Sequence, residues 1–327
     1  MPVSPPQPAT QEQKAATTAT IVMAFASVYF FWGSTYTAIR VAAAEMPALL
    51  LAGIRFSVAG VLLLAWCRWR GLRLVWPAKS MLLFCLIGLL LLGGGNVGLI
   101  YAEETLPSGM ASLVFAVTPL YVALMEMARP GGEPLPRRGW LGLVLGFLGL
   151  SVLVWPSLRV GLAGNGTLLW ALGALLAGAL SWSVGSLVSR HARLKANSFV
   201  AAAWQMLAAG AFSAALGTGL GQWPRVHLNA AAIVSLIYLI TGGSLLGYTG
   251  FIYLLEHVPV AKVMSYTYVN PVVAVVLGMI LLHERPAAEE FAGMAAIVLA
   301  VFLLSTAEMQ PKTGRRPIEE TVDMHLD

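Results

Sequence analysis

GNVGLIYAEETLPSGMASLVFAVTPL, residues 95–120, returns in outline as GYTGFIYLLEHVPVAKVMSYTYVNPV at 247–272. Gly95, Gly98, Tyr101, Pro107 and Pro119 stand opposite Gly247, Gly250, Tyr253, Pro259 and Pro271, at a constant offset of 152 with no gap. Nearer the start of each half, Trp32 and Arg40 match Trp182 and Arg190 at an offset of 150, so one two-residue gap aligns both blocks. A single Gly or Pro match would carry little weight in a chain rich in both. A register held across two long apolar segments points to a duplicated unit.

Composition places that unit in a membrane. The 327 residues are 58% hydrophobic and only 11% charged, with a mean hydropathy of +0.78, outside the range of soluble domains. A helix needs about 20 mostly apolar residues to cross a hydrocarbon core ~30 Å thick. Ten stretches qualify: about 20–40, 47–67, 80–102, 108–128, 139–156, 166–189, 199–220, 230–255, 260–282 and 287–306. The expected fold is an all-α polytopic membrane protein. Residues 1–19 read as a disordered cytoplasmic tail rather than a cleaved signal, 20–156 as the first repeat, 157–165 as a connecting loop, 166–306 as the second repeat and 307–327 as a cytoplasmic tail.

Basic residues orient the chain, because loops rich in Lys and Arg stay in the cytoplasm. With the N-terminus inside, that side receives Lys14, Arg68, Arg70, Arg73, Lys79, Arg129, Arg137, Arg138, Arg190, Arg193, Lys195, Lys262, Lys312, Arg315 and Arg316. The other side receives Arg40, Arg159, Arg225 and Arg285, and Arg55 falls within a span. Both termini are therefore expected in the cytoplasm, and the sequence pI near 9.4 reflects this bias rather than a nucleic-acid partner. Each half has an odd number of spans, so the second copy is inverted relative to the first, and the loop charges swap accordingly. The 68–79 loop has four basic residues and its counterpart near 221–229 has one. Inverted halves suggest two bundles that rock around a site near the midplane, as in a carrier.

Several strings have a known likeness. WGSTYTAIR (32–40), LLAGIRFSVAGVLLL (50–64), LSWSVGSLVSR (180–190), SYTYVNPVVAVVLG (265–278) and HERP (283–286), with the 95–120 stretch, resemble the EamA-type drug/metabolite transporters. They are most similar to the YedA-like bacterial inner-membrane exporters, over about Ile21 to Ser305. The resemblance implies ten helices in two inverted five-helix EamA repeats, with a central cavity lined by helices 1, 3, 4, 6, 8 and 9. It also implies a bacterial inner-membrane location and export of amino acids, other metabolites or drugs. RPGGEPLP after the fourth span departs from the compact turn kept as His283–Glu284–Arg285.

Candidate substrate contacts follow from polar and aromatic groups inside the spans. Pro119 and Pro271 each remove an i→i−4 hydrogen bond and are expected to kink spans 4 and 9. Beside them stand Thr118 and Asn270, and Tyr266 lies one helical turn before Asn270, with Tyr268 on an adjoining face. Span 1 offers Trp32 and Tyr36, and span 6 offers Trp182 and Ser186. The two tryptophans are repeat equivalents and are expected to face the cavity from opposite sides. Asn96, in the glycine-rich third span, is a further lining group. For Thr118 and the tryptophans, kink-patching and packing roles compete with substrate contact.

Ionisable side chains are few. Arg55 sits within span 2; pairing with Glu45 or Glu103, binding a substrate carboxylate, and snorkelling outward are its open roles, and snorkelling is favoured because span 2 is not a cavity helix in the resembled family. Glu103 is the first candidate for proton coupling. No Walker motif, HExxH, GxSxG or Cys/His cluster is present, so no catalytic residues, metal or cofactor are implied. Cys67 and Cys85 read as packing residues. The alternative from another class is a channel-like pore for small solutes, for which no carbonyl filter or acidic ring is visible. The expected partners are a small-molecule substrate and the lipid bilayer. A monomer is expected, with GLVLG (142–146) the small-residue motif through which a dimer would form.

Overall fold

A computed structural model describes residues 18–129, 136–192, 196–285 and 288–306. These residues are helical apart from short connections. Thr18–Ala43 (α1), Ala48–Trp69 (α2), Ala78–Glu103 (α3), Ser108–Ala128 (α4), Gly166–His191 (α6), Ser198–Gly219 (α7) and Ala230–His257 (α8) are long and apolar enough to cross a membrane. Arg137–Leu162 (α5), Val260–Val263 continued by Tyr266–Leu281 (α9), and Ala288–Thr306 (α10) complete the set. Residues 1–17 and 307–327, residues 130–135 within RPGGEPLP (129–136) and the basic stretch at 193–195 lie outside the described residues, and α1 begins two residues inside the tail expected at 1–19.

The helix ends repeat as the sequence does. Pro47, Pro77 and Pro107 precede α2, α3 and α4, and the equivalent positions before α7, α8 and α9 hold Asn197, Asn229 and Pro259. The two residue types solve one problem differently. A first-turn N–H has no helical acceptor; the Asn side chains accept from Phe199 N and Ala232 N at 3.0 and 2.8 Å. Proline supplies an extended residue that starts a helix cleanly. At the other end, Gly71 and Gly221, 150 apart, both take positive φ (71° and 65°). Each closes its helix with the same pair of bonds, Leu72 N to Cys67 O and Gly71 N to Arg68 O in one, Gln222 N to Gly217 O and Gly221 N to Thr218 O in the other. That is a Schellman cap made twice.

Packing exchanges the halves. Helix α2 lies against α7, α5 against α10, α1 against α8 and α9, and α6 against α3 and α4. Equivalents α2 and α7 run antiparallel: a Cβ on Gly53 would meet Ala214, one on Gly60 Leu207, one on Gly210 Ser57 and one on Gly217 Leu50, each at 2.4–2.9 Å. The contacts Ser57/Gly210 and Gly60/Leu207 interchange under the 150-residue offset. Only glycine allows backbones this close, the small-residue packing that drives helix association where solvent cannot.

Three departures from the sequence expectation bear on the site. The connection placed at 157–165 is mostly helix, because α5 runs to Leu162, and Asn165 caps α6 through Leu168 N at 3.3 Å. Span 4 breaks at Ala116–Val117, just before Pro119, but span 9 breaks earlier, at Met264–Ser265, and continues as helix through Pro271. The third departure had no sequence signal: π-helical segments at Val28–Trp32, Leu89–Asn96 and Leu239–Tyr248. Such segments are uncommon and gather at functional sites. Here each ends on a residue that faces the central cavity.

Candidate functional site: a cavity shared by the two halves

The interior cavity has a volume of about 30 Å³ and is lined from both halves. By the usual requirement of ~10–15 Å³ per water, it holds two or so. Helix α1 contributes Trp32, Thr35 and Tyr36; α3 contributes Leu92, Asn96 and Leu99; α4 and α6 contribute Phe115 and Trp182. Helix α8 adds Gly243 and Tyr248, and α9 adds Tyr266 and Asn270. All six helices implied by the family resemblance take part. So does α2, through Arg55 and Phe56, which that expectation omitted.

Trp32 and Trp182 meet across the cavity with ring centroids 5.3 Å apart. Tyr266 and Phe251 stand 5.1 and 4.9 Å from Trp32, completing an aromatic cluster. Each tryptophan is seated on a glycine of the other half. A Cβ on Gly247 would come within 2.5 Å of Trp32 Nε1, and one on Gly95 within 2.8 Å of Trp182 Cε3. Gly95 and Gly247 are themselves repeat equivalents, so the seat is built twice. The Trp32 indole N–H donates to Gly243 O at 3.0 Å.

The polar side of the cavity also repeats. Arg55 Nε donates to Ser244 Oγ at 2.9 Å, and Nη1 reaches Asn96 Oδ1 at 3.4 Å. In the other half, the Tyr248 hydroxyl donates to Gln205 Oε1 at 2.6 Å. Positions 55 and 205 are 150 apart and positions 96 and 248 are 152 apart. The same α2–α3 polar pair therefore recurs between α7 and α8, with a cation in one copy and a neutral amide in the other. Arg55 does not snorkel outward as favoured from the sequence; only 2% exposed, it points into the protein interior.

Six of the expected contact residues line the cavity: Trp32, Tyr36, Asn96, Trp182, Tyr266 and Asn270. Thr118 and Ser186 do not. The Thr118 hydroxyl donates to Phe115 O at 2.5 Å, filling the acceptor that Pro119 leaves vacant, while the Thr118 carbonyl accepts from Ser183 Oγ at 3.2 Å. Ser186 Oγ turns back to Trp182 O at 2.8 Å. Both hydroxyls are spent on the backbone. The Tyr268 side chain lies outside the described ones. Asn270 Oδ1 is buried without a formed hydrogen bond, an arrangement that is costly unless something else binds there, while the buried Tyr266 hydroxyl interacts with the Trp182 side chain.

A larger cavity of about 490 Å³ opens at the end of the molecule where α1, α3 and α9 finish and α4 and α8 begin. Its carboxylates have structural duties. Glu104 accepts from Ala48 N at 3.0 Å, at the start of α2. Glu284 accepts from Ser108 N and Oγ, both at 2.9 Å, at the start of α4. Glu45 takes Asn229 Nδ2 at 2.8 Å. Burial pushes the Glu104 carboxyl up from its ordinary value, opposed by the Ala48 N–H and by Arg225. Arg40 donates to the Glu103 carbonyl, as its equivalent Arg190 does to Leu255 O and Glu256 O. Glu103 itself is fully buried, with neither carboxylate oxygen hydrogen-bonded.

Known proteins resemble this chain. The EamA-like transporter family matches at residues 19–155 and again at 169–306. The uncharacterized inner membrane transporter YedA of Escherichia coli K12 is 35% identical over 280 residues, covering 85% of this chain and 88% of its own. The uncharacterized transporter YvbV of Bacillus subtilis is 28% identical, over 94% of this chain and 98% of its own. A probable amino-acid metabolite efflux pump of Escherichia coli K12 is 26% identical, over 84% and 91%. One protein crystal structure, 22% identical, superposes with a TM-score of 0.67 over 88% of this chain and 98% of that chain, and supports the fold. With a two-copy family match and a relative of this closeness, the chain belongs to the EamA-like transporter family.

Proposed function

We propose that this protein is a secondary exporter of the bacterial inner membrane that moves small amphipathic metabolites or drugs by alternating access. In this reading all ten helices α1–α10 span the bilayer, as two inverted sets of five, and both tails are cytoplasmic. One observation carries it: a single buried cavity to which each half brings an equivalent tryptophan on an equivalent glycine. A rotation of one half against the other re-forms that site from the same parts while exchanging which end is open. The aromatic cluster suits the apolar part of a substrate, and Asn270, Tyr266 and Asn96 its polar part. As it stands the cavity admits only water-sized groups, so binding requires the helices around it to part. The efflux pump relative is consistent with amino acids or related compounds as cargo.

The test is transport by purified protein in proteoliposomes. Saturable counterflow of a compound that also raises the melting temperature is the expected result. Resolved single-channel currents would favour the pore instead. Reporter fusions should place the 68–79 and 129–138 loops, and both tails, in the cytoplasm; a periplasmic 68–79 loop refutes the inverted arrangement.

A further inference from the structure

Arg55, the eighth residue of α2, is 2% exposed and forms part of the cavity wall. Its hydrogen bonds go to neutral acceptors, Ser244 Oγ at 2.9 Å and Asn96 Oδ1 at 3.4 Å. A guanidinium carries five N–H groups in a planar fork, so two such bonds leave most of the fork unused. Among the described residues no carboxylate oxygen comes within 4.0 Å of it; the ion pairs formed are Glu126 with Arg129 and His191, and Glu104 with Arg225. Glu103 acts on it electrostatically but stays beyond that distance. Charges retained at membrane depth face cavities and have partners. Here the cavity is present, and beside Ser244, Asn96 and the Phe56 ring at 4.8 Å the guanidinium has no carboxylate partner among the described residues.

The second repeat shows that the architecture does not need this charge. Gln205 and Tyr248 make the equivalent link with no ion at all, at 2.6 Å. Space is also kept for the cation: a Cβ on Gly243 would stand 2.6 Å from Arg55 Nη2 and 2.8 Å from Thr35 Cγ2. The two copies of this link therefore differ in charge, Arg55 with Asn96 in one and Gln205 with Tyr248 in the other, which gives the shared site one cationic pole.

We propose that Arg55 anchors a carboxylate group of the substrate, with Trp32, Trp182 and Tyr266 receiving its apolar part. This rests on the carrier reading above and names its cargo more narrowly. A carboxylate matches the guanidinium fork in geometry and in charge. A phosphate monoester would leave a second negative charge uncompensated, because among the described residues Arg55 is the one cationic side chain in the cavity lining.

The experiment uses full-length purified protein and matched acid/amide probes: benzoate with benzamide, 3-phenylpropionate with its amide, and L-phenylalanine with L-phenylalaninamide. Binding is read by thermal stabilisation and transport by counterflow. The wild type should bind at least one acid roughly tenfold to a hundredfold more tightly than its amide, the range of a charge-assisted hydrogen-bonded pair. Arg55→Gln, which installs the residue already found at 205, should bring that ratio close to one. Should Arg55→Gln not fold, Arg55→Lys carries the test through a several-fold loss for the acid alone. An acid preference that survives Arg55→Gln, acid binding unchanged in Arg55→Lys, or a wild type that prefers no acid over its amide overturns the anchor. Counterflow intact under any of these results leaves the carrier standing. Single-channel currents in place of counterflow overturn both.

Discussion

Adding one methyl group at Gly247 tests whether the two halves seat each other's tryptophans. A Cβ there would lie 2.5 Å from Trp32 Nε1 and 2.7 Å from Cδ1, whereas non-bonded heavy atoms rest at ~3.5–4.0 Å. The indole must retreat by about 1 Å. It has nowhere to go, with Phe251, Tyr266 and Trp182 rings at 4.9, 5.1 and 5.3 Å and only 30 Å³ open beside it. Overpacking of this kind costs ~1–3 kcal/mol. Moving Nε1 off the Gly243 carbonyl, now 3.0 Å away, adds ~1 kcal/mol. Gly247→Ala should therefore lose about 2–4 kcal/mol, measured by equilibrium unfolding in mixed micelles of rising SDS content. In the double variant with Trp32→Phe, the smaller ring makes room for the methyl group, and the pair should couple by ~1–3 kcal/mol in the direction that offsets the single losses. Gly95→Ala with Trp182→Phe should repeat the behaviour, with a smaller single-site loss because the Trp182 N–H forms no equivalent bond. Free energies that add to within ~0.5 kcal/mol at both sites would refute the reasoning, for then the glycines are not the seats.

Three further outcomes are expected. Asn270→Ala should weaken substrate binding by ~1–3 kcal/mol without lowering the yield of folded protein, and Tyr266→Phe should show how much of the loss belongs to a hydroxyl rather than a ring; normal transport by Asn270→Ala removes it from the site. If a pH gradient drives flux through the wild type, Glu103→Gln should abolish that flux while leaving thermal stabilisation by a transported compound unchanged, and undiminished flux in that variant excludes Glu103 as the coupling group. Glu284→Ala strips the acceptor from Ser108 N and Oγ and should cost ~1–3 kcal/mol of stability, with Glu284→Gln recovering about half; equal losses in the two would show that charge, not hydrogen bonding, matters there.

The sequence reading reached furthest where the duplication spoke. It placed Trp32 opposite Trp182 because the two are repeat equivalents, and it put Asn270, Tyr266, Tyr36 and Asn96 in one interior because polar groups inside a span find partners in a protein interior rather than in lipid. It fell short where a side chain had two competing acceptors. Nothing in the order of residues says whether Thr118 reaches a ligand or the Phe115 carbonyl that Pro119 leaves free, and the local bond is always within reach. Arg55 was misread for another reason: span 2 was assigned to the periphery as a whole. The signal that places it was nonetheless present, since the repeat offset sets Gln205 against it, and a polar residue at the same depth of both copies of a span has a reason to be there. The π segments had no such trace. A wider turn shifts every later side chain around the helix, so a face inferred from the 3.6-residue period drifts before it reaches Asn96 or Tyr248.

Those segments also divide the molecule by kind. The helices with interrupted backbone are α1, α3 and α8, with π turns, and α4 and α9, with breaks. All five line the cavity. The helices that pair with their own equivalents, α2 with α7 and α5 with α10, are regular from end to end. Hydrocarbon accepts no hydrogen bonds, so irregular backbone survives at membrane depth only where protein or a water-filled cavity meets its needs. The α2–α7 contact, in which a Cβ on Gly210 would come within 2.4 Å of Ser57 N, leaves little room to slide and suits a fixed frame. In the proposed cycle, then, the frame helices keep their contacts and the interrupted helices bend at their π turns and breaks. Arg55 stands on the frame and Trp32, Asn96, Tyr266 and Asn270 stand on the bending helices. A carboxylate held at Arg55 would stay in place while the walls around the rest of the substrate change sides.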